Sequence, residues 1–139
     1  MRKVGEDRSM SAPASVVSRP STAAIVGAFV LDVVLVVAFA AAGRASHDED
    51  VLAGLAHTSW PFLAALAVGW LVLRAWRAPA APVRTGVGLW IVTVAGGMLL
   101  RVVSDQGTAL PFVIVATLTL GALLVGWRLL AALVTRRRR

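Results

Sequence analysis

Four stretches of this chain stay apolar for long enough to cross a lipid bilayer, and this limits its fold more than any other feature. They run from Ala23 to Ala42, from about Val51 to Leu73, from about Val87 to Val103 and from about Ala109 to Val134. A helix rises about 1.5 Å per residue, so about 20 residues bridge a hydrocarbon core of about 30 Å. Lipid offers backbone amides no hydrogen-bond partner, and an unbroken apolar run satisfies them by becoming a helix. The expected fold is therefore all-α: an integral membrane bundle of four transmembrane helices occupying residues 22–135. A mobile basic tail (1–21) precedes it and a basic tail (136–139) follows it.

The alternative of a small water-soluble domain fails on composition. Of the 139 residues 58% are hydrophobic and only 15% charged, whereas a soluble domain carries about 25% charged residues and buries only about two-thirds of its surface at this size. With no cysteine, disulfides, thiolate metal sites and a cysteine nucleophile are excluded. The net charge of +7 does not point to nucleic acid, because much of the excess sits in Arg136, Arg137, Arg138 and Arg139 and the rest is spread between apolar segments. Lys3 is the one lysine among 14 basic residues, which, with the heavy use of Ala, Gly and Val, fits a GC-rich bacterial genome.

Charge also sets the orientation, since short cytoplasmic loops collect Lys and Arg. Arg2, Lys3, Arg8 and Arg19 precede the first segment, Arg74, Arg77 and Arg84 lie between the second and third, and the four terminal arginines follow the fourth. Four crossings place all of these on one side. The other side holds Arg44 and Arg101 with the acidic Asp48, Glu49, Asp50 and Asp105. Both termini are expected in the cytoplasm, in a multi-pass protein of the cytoplasmic membrane. The C-terminal arginines would then lie against anionic lipid headgroups. A cleaved signal peptide fits the first segment less well, because a signal core is about 7–15 residues long and this stretch is longer and carries Asp32 at its centre.

Lipid removes most of the hydrophobic drive between helices, so small residues that allow close approach mark the contacts. Ala23 with Gly27, Ala65 with Gly69, and Thr93 with Gly97 beside Gly96 are the candidates. Trp60, Trp70, Trp76, Trp90 and Trp127 sit near segment ends and are expected to anchor the interface. The second and fourth segments share a pattern, Pro61–Phe62 with Gly69–Trp70 and Pro111–Phe112 with Gly126–Trp127, which suggests a two-plus-two repeat.

Ionisable residues inside a membrane cost roughly 2.5–3.5 kcal/mol each on insertion scales, so they mark a function or a buried pair. Asp32 lies at the middle of its segment. By helical rise Arg101 sits about 9 Å to one side of that level and Arg128 about 6 Å to the other, and both side chains lean towards it. Either arginine could complete a buried ion pair with Asp32. Such a pair fixes helix register; the alternative role for Asp32 is a proton- or ion-coupling carboxylate in a small transporter. A second polar cluster gathers on the outer side: Arg44, His47, His57, Arg101, Asp105 and Gln106. Pro61 cannot donate to the carbonyl of His57, which favours a kink or cavity there. No His pair at i, i+4 is present, so a metal site is not expected, and no catalytic motif or cofactor signature is present.

These polar residues recur in short strings: Gly43-Arg44-Ala45-Ser46-His47, Trp60-Pro61-Phe62, Gly69-Trp70, Gly97-Met98-Leu99-Leu100-Arg101 and Gln106-Gly107-Thr108-Ala109. From about Ala23 to Leu130 the chain resembles a bacterial family of small four-helix membrane proteins known as a domain of unknown function. The resemblance implies a four-helix membrane protein whose characteristic residues include Arg44, His47, Trp60, Pro61, Arg101 and Gln106. It implies no activity, substrate or cofactor. The leading functional expectation is a non-enzymatic accessory subunit or small carrier with an outward polar site. Its rival is a structural or lipid-interacting bundle without a ligand. Four helices enclose little volume, so a carrier would be expected to work as a homo-oligomer. A membrane enzyme would require outward polar side chains to converge within about 3–4 Å of one cavity.

Overall fold

The computed structural model describes residues 18–45 and 51–138, with side chains in the second stretch described from residue 54 onward. Among these residues the chain forms four long helices and no strand: α1 (Thr22–Ala45), α2 (Val51–Val72), α3 (Gly88–Val103) and α4 (Leu110–Arg137). All four spans, the third counted from Pro82, are long and apolar enough to cross a membrane. The protein is therefore an all-helical, multi-pass integral membrane protein. Arg2, Lys3, Arg8, His47, Asp48, Glu49, Asp50 and Arg139 lie outside the described residues.

Local chemistry sets the helix ends. Ser21 caps α1, its Oγ accepting from the amide of Ala24 at 3.1 Å. Pro111 opens α4 within the first turn, where its missing N–H leaves no gap. α4 continues through Arg136 and Arg137, beyond the expected start of the basic tail at 136. Arginine is a good helix former, and a cation complements the negative end of the helix dipole. At the opposite end of the bundle α3 closes on Ser104, whose backbone N–H and Oγ both donate to the carbonyl of Leu100, at 2.9 and 2.7 Å. Asp105 and Gly107 then take positive φ angles of 54° and 74°, turning the chain sharply back into α4.

Each helix buries one narrow stripe. In α1 it is Ala28, Asp32, Val36, Phe39 and Ala40; in α3 Leu89, Thr93, Gly97 and Arg101; in α4 Ala116, Leu120, Leu124 and Arg128. Spacings of three and four place the members of each stripe on one face. The remaining faces carry exposed Val, Leu and Ile, the surface expected of a helix against lipid. Asp32, Arg101 and Arg128 thus belong to the inward stripes of their helices.

The closest crossing joins α2 to α3. A Cβ at Gly96 would lie 2.9 Å from that of Ala65, one at Gly69 would lie 3.0 Å from Leu89, and one at Gly97 would run into the ring of Phe62. The pairs Ala65/Gly69 and Thr93/Gly97 therefore do bring backbones together. Gly27 does not: nothing lies within 4 Å of a Cβ built there. It faces away from the stripe formed by Ala28 and Asp32.

Between α2 and α3 the chain does not simply return through solvent. After Arg74, in left-handed conformation (φ 51°), it makes a short 3-10 turn (Ala75–Arg77) and then a π-helical turn (Pro82–Val87) that leads straight into α3. Ala75, Pro79, Thr85 and Gly86 are buried. Thr85 holds the turn closed by donating from Oγ1 to the carbonyl of Ala78 at 2.7 Å. This segment plugs the end of the bundle at which α1 begins and α4 ends. The other end, where α1 and α3 finish and α2 and α4 start, is called the loop end below.

Candidate functional site

Two polar centres lie along the axis of the bundle, separated by a layer of aromatic rings. The first is at the level of the α2–α3 plug. Arg128 donates from Nη1 to Oδ1 of Asp32 at 2.9 Å and from Nη2 to Oδ2 at 2.7 Å, a bidentate pair with both side chains at 0% exposure. Trp127 donates to Oδ1 at 2.9 Å and Trp70 to Oδ2 at 3.0 Å. Asp32 therefore accepts four hydrogen bonds, the full accepting capacity of a carboxylate. Arg128 also donates from Nε to the carbonyl of Pro79 at 2.9 Å and from Nη1 to that of Leu124 at 2.7 Å. The cluster ties α1, α2, α4 and the plug together, and its completeness suits a structural lock.

This arrangement corrects two expectations from sequence. Arg101 takes no part in the Asp32 pair. Its guanidinium turns to the loop end, donating from Nε to the carbonyl of Gly107 (3.1 Å), from Nη1 to Oε1 of Gln106 (3.0 Å) and from Nη2 to the Gln106 carbonyl (2.9 Å). The sharp α3–α4 turn folds those acceptors back over the helix end, nearer than Asp32. The tryptophans are likewise not all interface anchors. Trp70 and Trp127 serve Asp32, and Trp90 donates to the carbonyl of Thr117 at 2.8 Å across the α3–α4 contact. Trp60 and Trp76, 41% and 40% exposed, keep positions suited to anchoring.

The aromatic layer is built from Phe39, Phe62 and Phe112. Phe39 meets Phe62 edge-on with ring centroids 5.5 Å apart, and Phe112 lies 6.3 Å from Phe39 and 6.2 Å from Phe62. The shared Pro–Phe and Gly–Trp strings of α2 and α4 thus place equivalent residues side by side: Phe62 with Phe112 in this layer, Trp70 with Trp127 on the two oxygens of Asp32.

Above the layer a cavity of about 790 Å³ opens at the loop end. Its walls include Arg44, His57, Arg101, Asp105 and Gln106, with Phe39 and Phe112 at its base. Five of the six residues of the expected outer cluster therefore share one space, and the sixth, His47, lies outside the described residues. Arg101 is 9% exposed and its guanidinium carbon stands 4.3 Å over the ring of Phe112. Arg44 donates from Nη1 to Oγ1 of Thr58 at 3.1 Å and lies flat across Gly54, where any Cβ would collide with it. α2 passes through the buried Pro61 without a break, while His57 and Thr58, one turn earlier, line the cavity. Thr58 and the layer residues Phe39 and Phe112 were absent from the expected cluster. Their only signal in the sequence is position: Thr58 follows His57, Phe39 lies five residues before Arg44, and Phe112 follows Pro111 at the start of the fourth segment. Among the described residues no three His, Asp or Glu side chains gather as a metal site would need.

A family model described as a protein of unknown function (DUF3054) matches residues 29–131, which takes in both polar centres. No curated protein and no solved structure matches the chain.

Proposed function

The chain belongs to the DUF3054 family of proteins of unknown function, and from its geometry we propose a non-enzymatic membrane protein, a small carrier or accessory subunit, that takes a small ligand into the loop-end cavity. The observation that carries this reading is the cavity itself. Its volume, about 790 Å³, falls within the range of about 300–1,000 Å³ typical of ligand sites, and it combines an apolar base with a few fixed polar groups. A bundle whose only task was structural would close this space, as α1, α2, α4 and the plug do around Asp32. Every described residue that lines the cavity comes from one chain, and on this reading binding needs no second copy. Passage across the membrane would need one, because the Asp32 cluster and the plug fill the other half of the bundle.

The test is ligand-dependent stability of the purified protein in lipid nanodiscs, set against a variant with the cavity filled. Gly43 lines the cavity, and among the described residues nothing lies within 4 Å of its Cβ position, so Gly43→Trp places a large ring in the cavity wall. Saturable stabilisation by some small molecule in the wild type, lost in Gly43→Trp, is the expected result. An unchanged response in Gly43→Trp would place binding elsewhere and defeat the proposal.

We place the protein in the cytoplasmic membrane with both termini inside, supported by the basic residues at the terminal end. There Arg136, Arg137 and Arg138 are exposed, as are Arg77 and Arg84, a distribution suited to anionic headgroups. Because the chain has no native cysteine, single substitutions report sidedness cleanly. A membrane-impermeant maleimide should label Ala109→Cys in intact cells and Arg84→Cys only after permeabilisation. The opposite pattern would invert the topology.

A further inference from the structure

One side chain holds both the rim of the loop-end cavity, the α3–α4 turn, and part of its floor, Phe112. Arg101 lies in the last turn of α3, on the inward stripe, and is 9% exposed. Three of its five N–H groups go to the turn: Nε to the carbonyl of Gly107, Nη1 to Oε1 of Gln106 and Nη2 to the Gln106 carbonyl. The backbone grips the same residue in the other direction, the Gln106 amide donating to the carbonyl of Arg101 at 2.9 Å. The same guanidinium stands over the ring of Phe112, its carbon 4.3 Å from the centroid. We infer that Arg101 is the positioning residue of the cavity: it couples rim to floor, so that the turn and Phe112 hold one arrangement or lose it together, whether or not a ligand is bound.

Neither part keeps its place by local preference. Asp105 is held at φ 54°, a left-handed conformation that costs any residue with a Cβ. Arg101 bonds the two residues that follow this strained position, and charge-assisted bonds to them are strong enough to keep the turn in it. In the aromatic layer Phe39 and Phe62 are buried, whereas Phe112 is only half-buried. The guanidinium over its ring supplies part of the packing that burial gives the other two. Both tasks at once need a planar group, since its hydrogen bonds leave in the plane while an aromatic ring takes the face; a lysine ammonium offers no such fork. Asp105, Gln106 and Phe112 all line the cavity beside Arg101, so the brace sets the width of the mouth and the depth of the floor as one quantity.

The experiment is fluorine NMR of the full chain in phosphatidylcholine nanodiscs, with fluorinated phenylalanine at its four Phe positions. Phe112→Leu identifies the Phe112 resonance by its loss, and Phe29→Leu does the same for Phe29. Phe29 packs edge-on against Trp70 with centroids 5.2 Å apart, beside the Asp32 cluster, and serves as the control for global change. Gln106→Ala alters the turn by removing one acceptor of Arg101. It should shift the Phe112 resonance and leave that of Phe29 in place. In an Arg101→Lys background, where the fork is gone, Gln106→Ala should produce no further shift at Phe112. A Phe112 resonance that ignores Gln106→Ala, or that moves equally in both backgrounds, would overturn the coupling through Arg101. Loss of the Phe29 signal would show that Arg101→Lys does not fold; Arg101→Met then replaces it, and if that also fails, the response of Phe112 to Gln106→Ala alone decides. None of these outcomes involves a ligand, so the Gly43→Trp comparison is judged separately.

Discussion

Replacing Asp32 with alanine is expected to destabilise the bundle by about 3–5 kcal/mol, the loss typical when one partner of a buried ion pair is removed. The reason lies in what stays behind. Arg128 remains at 0% exposure, still held by the carbonyls of Pro79 and Leu124, with no counter-charge. The indoles of Trp70 and Trp127 lose their shared acceptor at the same time. Removing both charges together should do less harm: Asp32→Leu with Arg128→Met takes away the stranded cation, and a buried pair gains little over a well-packed apolar one. Pro79 and the two indoles would still lack partners, at about 0.5–1.5 kcal/mol each, so the double variant should remain below wild type. In a cycle of Asp32→Leu, Arg128→Met and the two together, the expected interaction energy between the two sites is about 2–3 kcal/mol. Reversible unfolding in mixed micelles, followed by tryptophan fluorescence, measures it. Simply additive losses would show that Asp32 and Arg128 do not act as a pair, and would reopen the coupling role for the carboxylate.

The same cluster shows how far sequence reasoning reaches here and where it stops. That Asp32 needs a partner is legible, because a carboxylate in the middle of an apolar segment is too costly alone. That the partner is Arg128 and not Arg101 is not legible. Helical rise gives the level of a residue along the bundle axis but not which way its stripe faces, and both arginines lean towards Asp32. What separates them is the α3–α4 turn, whose positive φ angles at Asp105 and Gly107 carry two carbonyls and an amide oxygen back to Arg101. The tryptophans mislead for a related reason. A residue near a segment end is at the right depth both for the lipid interface and for the plug between α2 and α3, and the buried plug around Pro79 reads in sequence as an ordinary Arg- and Pro-containing loop. The inward stripes are hidden too, since a helix with lipid on one side and protein on the other is apolar all round. The outer cluster fared differently. Arg44, His57, Arg101, Asp105 and Gln106 are polar residues at one end of short-looped helices, and topology alone brings such residues to one face; their enclosure of a cavity depends on the ring layer, which no polar residue announces.

Gly97→Ala should destabilise the α2–α3 crossing by about 1–3 kcal/mol, the usual loss from overpacking, and Gly97→Val by more. A Cβ at this position runs into the ring of Phe62, and that ring has nowhere to retreat. It is fully buried, set edge-on against Phe39 and in contact with Phe112. The alternative is for the helices to separate, which in lipid sacrifices the close packing that holds them together. Phe62→Leu should relieve the clash, so that the double variant Gly97→Ala, Phe62→Leu loses less than the sum of the two singles. Gly27→Ala supplies the contrast: with nothing within 4 Å of its Cβ, it should change stability by no more than about 0.5 kcal/mol. Unfolding measurements that place Gly27 and Gly97 on an equal footing would refute the crossing described here. The effect should also reach the cavity. Phe39 and Phe112 form its base and lean on Phe62, so pushing that ring outward moves the floor of the site, and Gly97→Ala should weaken whatever ligand Gly43→Trp excludes even though Gly97 lines no part of the cavity.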